Sequence, residues 1–238
     1  MIPTSALIDK FQQALNDKWG YIWGTAGVKW TQAKQTAIEK TTDANRAQAR
    51  KYGSKWIGHT VADCSGLFYW AFKQLGGYMY HGSNTMWDKY CEHKGELKAG
   101  KRTDGKTLEP GTAVFTYNKT TKKRGHVGLY VGNGKVIEAA STTQGVISSA
   151  VTASKWVEWG ELKGVDYSGK PEPGPAPGYA IVTGTKVALR QDPSVKAGVI
   201  LRVNTGETVK LEPEPDEWDF VSYGGKKGWM MKKFLKEG

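Results

Sequence analysis

A cysteine between an acid and a serine, Asp63-Cys64-Ser65, stands just before the apolar run GLFYWAF. A thiol attacks as thiolate, and an ordinary cysteine near pKa ~8.5 is mostly protonated at neutral pH. A helix starting at Cys64 would aim unpaired N–H groups and a partial positive charge at the sulfur. A histidine brought beside it would take the proton. The plain reading is a packed thiol with Asp63 and Ser65 as helix caps. Of the histidines His59, His81, His93 and His126, only His126 opens a clear strand, GHVGLYVG. There Val127, Leu129 and Val131 alternate to one face and leave His126, Gly128 and Tyr130 on the other.

The turn after that strand decides the partner of His126. With Asn133-Gly134 as a two-residue type I′ turn, Glu138 falls opposite Leu129, on the wrong face. With Gly132-Asn133-Gly134 as a three-residue loop, Glu138 falls opposite Gly128 and shares the face of His126. Gly128 leaves room between them. Glu138 would then fix the imidazole tautomer and stabilise its cation, the orienting role in a nucleophile–base–acid triad.

The elements that must position these residues follow from pattern. MIPTSALIDKFQQALNDKWG reads as an amphipathic helix with Ala6, Leu7, Phe11, Ala14 and Leu15 on one stripe. Residues 31–50 are polar and helix-prone, a solvated helix or a mobile insertion. LFYWAFKQL continues the helix from Cys64 and stops at Gly76-Gly77. Residues 113–117, 126–131 and 135–140 read as strands, so a helix followed by antiparallel strands gives an α+β layer. Cys91 reads as a small buried or half-buried thiol. SGKPEPGPAPG, residues 168–178, is too rich in Pro and Gly for helix or sheet and reads as an extended spacer. Beyond it, short strands and frequent turn signals predict a small all-β barrel. The division is 1–167, linker 168–178 and 179–238, with no internal repeat.

The 238 residues carry a net charge of +11, which favours a polyanionic partner. Up to Gly178 there are 24 Lys+Arg against 15 Asp+Glu, so the basicity lies mainly in the first part. The cations are scattered and not interleaved with aromatics, which argues against nucleic acid. No apolar stretch is long enough for membrane insertion, and two cysteines give no disulfide framework. His and Cys lack ligand spacing, so neither a metal nor another cofactor is expected.

DCSGLF before an apolar helix, then LEPGTAVF, then GHVGLYVGNGKVIEA resemble the NlpC-type cysteine peptidases of bacterial cell walls. YIWG, residues 21–24, resembles the family's tyrosine-containing motif, and the resemblance covers roughly residues 5–165. It implies a papain-like fold and cleavage of peptidoglycan stem peptides, typically between D-glutamate and a diamino acid. It places the nucleophile at Cys64, the base at His126 and the orienting position, often histidine in the family, at Glu138. Tyr21, Trp23, Asp63 and Ser65 fall where the substrate site is shaped, Asp63 and Ser65 where a free stem-peptide amine is held. Thr112 replaces an acid usual in the family, and the stretch between Gly24 and Cys64 is long, as an inserted helix over the cleft would be. The last sixty or so residues resemble a bacterial SH3-like wall-binding domain, with Trp218 and Trp229 in ligand-facing or core positions.

The expectation is a wall-degrading endopeptidase tethered to a wall-binding module, with stem peptides and anionic wall polymers as partners. The N-terminal helix does not read as a signal peptide. That suggests a phage or prophage endolysin made in the cytoplasm, with a tail-associated lysin or an autolysin as alternatives. The alternative activities are an N-acetylmuramoyl-L-alanine amidase or a cross-bridge endopeptidase of the related Cys-His group. Of another class, the alternative is a non-catalytic wall-binding protein.

Overall fold

A computed structural model describes residues 1–168, 179–205, 207–212, 218–223 and 226–237. The chain divides into two compact units, Met1–Gly169 and Lys170–Gly238. Past Ser168, the Pro/Gly-rich spacer lies outside the described residues.

The first unit is the α+β arrangement expected, helices packed on an antiparallel sheet. Seven strands form one antiparallel sheet in the order Lys101–Arg102, Cys91–Lys98, Glu158–Leu162, Ala113–Phe115, Val127–Gly132, Lys135–Ser141, Gly145–Ala150. Helix α1 (Thr4–Asn16) buries Leu7, Phe11 and Ala14, part of the apolar stripe in its sequence. These pack with Leu67, Phe68 and Phe72 of a second helix and with Val127, Leu129 and Ile137 of the sheet. Burying each large side chain stabilises by about 1.5–3 kcal/mol relative to exposure. The other sheet face is covered as well: Val114 and Val136 pack with Leu97, Leu108, Val151, Trp156 and Trp159. The strands Cys91–Lys98 and Gly145–Ala150 escaped the sequence pattern because the first is mostly polar and exposed and the second is only partly buried, and Glu158–Leu162 because it is short and buried on both faces.

The segment read as solvated or mobile has a core of its own. Helices α2 (Gln32–Glu39) and α3 (Ala47–Tyr52) enclose Ile38 and Ala49 with Ile22, Trp30, Trp56 and Val61. Gln35 is fully buried and satisfied: its Oε1 accepts from the Trp30 indole, and its Nε2 donates to Glu39 and to the Ala49 carbonyl. The apolar residues here are few and spread over three short elements, so no single window shows them.

Helix α4 (Cys64–Gln74) begins with the Asp63 side chain accepting from the Gly66 N–H at 2.8 Å. It ends where the sequence says, with Gly76 at φ +73° and the Gly77 N–H donating back to the Phe72 carbonyl. Its first turn lies so close to the chain at Thr25 that a Cβ on Gly66 would collide with the Thr25 carbonyl oxygen. Helix α5 (Ser83–Tyr90) follows and leads into the strand carrying Cys91, which is buried.

The second unit is all β. Its strands run Val199–Val203, Val187–Arg190, Lys226–Met231, Trp218–Tyr223, Thr208–Glu212, Tyr179–Val182, Leu235–Glu237, antiparallel throughout. The core is Ala180, Val182, Val187, Leu189, Val203, Val209, Val221 and Met230. Trp218 is buried and Trp229 half-buried, its ring 5.1 Å from that of Phe220.

Candidate active site

The hairpin after His126 settles the register by a route between the two read from sequence. Asn133 and Gly134 both have positive φ (50° and 70°), and Gly132 pairs with Lys135, so the turn itself has two residues. A bulge at Val131 then shifts the pairing so that Tyr130 faces Val136 and Leu129 faces Ile137. The next pair brings Glu138 opposite Gly128. At Gly128 a Cβ would sit 2.5 Å from Val136 and 2.9 Å from the Trp156 ring, so only glycine fits.

His126 precedes the Val127–Gly132 strand, with its carbonyl accepting from the Thr116 N–H. Two residues before it the chain is pinned: the Arg124 guanidinium holds Glu158 through two hydrogen bonds and lies 4.1 Å over the Trp87 ring. His126 Nε2 lies 2.6 Å from Glu138 Oε2, and the His126 ring stacks on Trp156 at 5.6 Å and 21°.

Glu138 is fully buried. The Lys155 ammonium donates to both of its oxygens at 2.6 Å, and the Ser149 hydroxyl donates to Oε1. Burial alone would push this carboxyl up. The donors His126, Lys155 and Ser149 outweigh it and hold the pKa at about 2. Glu138 is therefore an acceptor, His126 Nε2 carries the proton it accepts, and Nδ1 is left as the basic nitrogen.

Cys64 lies at the start of α4, 8% exposed and unpaired with Cys91. Burial and the Asp63 charge push its thiol up to about 12, against the pull of backbone N–H groups of Val127, Ser65 and Cys64 itself. The helix terminus thus does not produce a resting thiolate, as its position in the sequence suggests; desolvation wins. The Val127 contact places the sulfur against the chain one residue from His126.

Asp63 (5% exposed) is crowded with donors. It accepts from the Gly24 N–H at 2.7 Å, the Gly66 N–H at 2.8 Å and the Ser65 hydroxyl at 3.3 Å. His81 Nε2 lies 2.8 Å from both of its oxygens. That hydrogen bond, against some desolvation, raises the His81 pKa. An amine reaching Asp63 would have to displace one of these donors. Tyr21 lies against the helix-side core, its hydroxyl pKa raised by burial and by the nearby Cys64 and Asp63. Trp23 is 42% exposed, beside the Gly24 N–H that Asp63 holds. Lys155, Ser149 and His81 had no signal in the sequence: each depends on a fold contact across at least 11 residues. Among the described residues no three of His, Cys, Asp or Glu converge as a metal-ligand set. No helix among them is long and apolar enough to cross a membrane.

Residues 47–161 match the model of the NlpC/P60 family. Cys64, His126 and Glu138 lie inside the match; Tyr21 and Trp23 lie before it. The chain is similar to the murein DD-endopeptidase MepH of Escherichia coli (strain K12), 33% identical over 113 residues. That alignment takes in 43% of this chain, and the chain spans 36% of the length of this curated relative. Similar solved structures include NlpC2 from Trichomonas vaginalis (19% identity, TM-score 0.42, 66% of this chain and 45% of that one). Another is the peptidoglycan hydrolase RipB from Mycobacterium tuberculosis (18% identity, TM-score 0.41, 67% of each chain).

Proposed function

We propose that the first unit is a cysteine peptidase that hydrolyses peptidoglycan stem peptides between D-glutamate and a diamino acid. One observation carries this reading: an ionised, buried Glu138 fixes the tautomer of His126, beside a strand whose Val127 N–H points at the Cys64 sulfur. In the mechanism, His126 Nδ1 takes the proton of the neutral Cys64 thiol as the sulfur attacks the scissile carbonyl. Glu138 stabilises the imidazolium that results. The oxyanion meets the N–H groups at the start of α4, that of Cys64 among them. Collapse expels the amine, protonated by His126. A water deprotonated by His126 then cleaves the thioester and frees the acid.

Tyr21, Trp23, Asp63 and Ser65 form the wall of the substrate site. The second reading is cleavage of a cross-link. It is favoured by the crowding of Asp63, which leaves a free stem amine no open acceptor, and by the activity in the name of the MepH relative.

The second unit is proposed as an SH3-like module that holds anionic wall polymers. A cleft of about 310 Å³ supports this, lined by Lys186, Arg190, Arg202 and Lys233 with Trp218 and Phe234. Retention on walls through such charges weakens with salt. The whole chain is proposed to act at the bacterial wall as a lysin.

The test is mass analysis of fragments released from purified walls by the wild type and by Cys64→Ala. New amines on the third stem residue support the first reading, and new amines at cross-links support the second. Freed lactyl groups on muramic acid mean an amidase. Equal clearing by Cys64→Ala means a non-catalytic wall binder.

A further inference from the structure

We infer that Lys155 is a positioning residue that sets the working pH of the Cys64–His126 pair by serving as a second counter-charge on Glu138. The inference rests on the hydrolase reading above. Lys155 follows the Gly145–Ala150 strand and reaches Glu138 across the sheet edge, its ammonium 2.6 Å from each carboxylate oxygen. His126 holds Oε2 alone, also at 2.6 Å. The same ammonium lies 4.6 Å over the Trp156 ring, on which His126 stacks. One carboxylate and one indole are therefore shared between a permanent cation and a titrating imidazole.

The charge balance follows. A fully buried carboxylate facing a single imidazole favours the imidazolium strongly. An imidazolium has no basic nitrogen to offer the thiol. With Lys155 on the same carboxylate, the Lys155–Glu138 pair is neutral. His126 keeps an acceptor for its Nε2–H without the field of an uncompensated anion, and Nδ1 stays free. This matters because the thiol is neutral at rest and relies on a base. The Lys155 side chain is 40% exposed, so its charge stays hydrated while Glu138 is at 0%. The titratable groups facing the Cys64–His126 pair are Tyr21 and Asp63 beside Cys64, and Glu138 with Lys155 beside His126. Ser149, on the neighbouring strand, donates without charge.

The experiment is the pH profile of kcat/KM on soluble muropeptides for wild type, Lys155→Met, Lys155→Gln and Lys155→Arg, with circular dichroism and Tm on each. Lys155→Gln keeps a hydrogen-bond donor without the charge and gives the answer if Lys155→Met does not fold. In the neutral variants the acid limb moves up by about one pH unit, the smaller of the shifts a lost charge causes at this range. Below the limb the rate falls about tenfold, in kcat with KM kept within about twofold, and Lys155→Arg restores the wild-type limb. A merely structural role lowers activity evenly at all pH values. A limb that stays put or moves down in the neutral variants overturns the inference while Cys64-dependent activity persists. Wild-type rates from Cys64→Ala overturn the hydrolase reading and this inference with it.

Discussion

Two buried carboxylates in the first unit each hold a histidine, and they are built differently. Asp63 takes two backbone N–H groups, from Gly24 and Gly66, together with Ser65 and His81. Glu138 takes side chains alone: His126, Lys155 and Ser149. Backbone donors do not titrate and cannot be moved without moving a loop or a helix, so Asp63 works as a clamp between them. Side-chain donors set a field at the imidazole and can be tuned one at a time. A histidine–carboxylate contact is therefore no marker of catalysis by itself. What separates the pairs is the other neighbour: the residue after His126 points its N–H at the Cys64 sulfur, while His81 faces an anion that is already saturated.

The comparison breaks most sharply at the two histidines. His126→Ala is expected to lower kcat/KM on muropeptides by about 10³-fold or more, as losing the base of a triad does. His81→Ala should cost less than about tenfold, acting only through the Asp63 charge left beside the thiol. Equal losses would erase the distinction. The acids come next. Glu138→Gln should reduce kcat by about 10²- to 10⁴-fold, because the tautomer is no longer fixed. Asp63→Ala should act chiefly on stability, by about 2 kcal/mol and some 4–8 °C in Tm, because two backbone donors lose their acceptor.

The smallest effect is on stability against pH, and its sign differs between the pairs. The Glu138 carboxyl is lowered from 4.5 to about 2 in the fold. Its contribution is complete above pH ~4.5 and is lost as pH falls through about 2. The His81 pKa is raised from 6.5. Its contribution is complete below that value and fades as pH rises through the raised one. Denaturant midpoints across pH should show the acid loss disappear in Glu138→Gln and the alkaline loss disappear in His81→Ala.

Much of the first pair was legible in sequence. The cysteine before an apolar run, the strand begun by His126 and the glycine opposite Glu138 are local patterns. The bulge at Val131 was not, because nothing in VGNGK separates a three-residue loop from a two-residue turn with an extra residue upstream. Asp63 was read as a cap, and it is one, but His81 arrives through a loop with no period to betray it. Lys155 and Ser149 were silent for the same reason: a lysine before a tryptophan and a serine in a strand are ordinary until folding brings both to Glu138. The α2–α3 segment was misread because its few apolar residues are shared among short elements.

The single unpaired valine in the Val127–Gly132 hairpin works as a parity switch. Pair it with Val136, as an unbulged two-residue hairpin of the same sequence would, and Glu138 faces Leu129, so a carboxylate enters the apolar layer under the helices. Any loop transplanted into this hairpin from another protein must keep Gly128 opposite Glu138, however well its tip suits a new target.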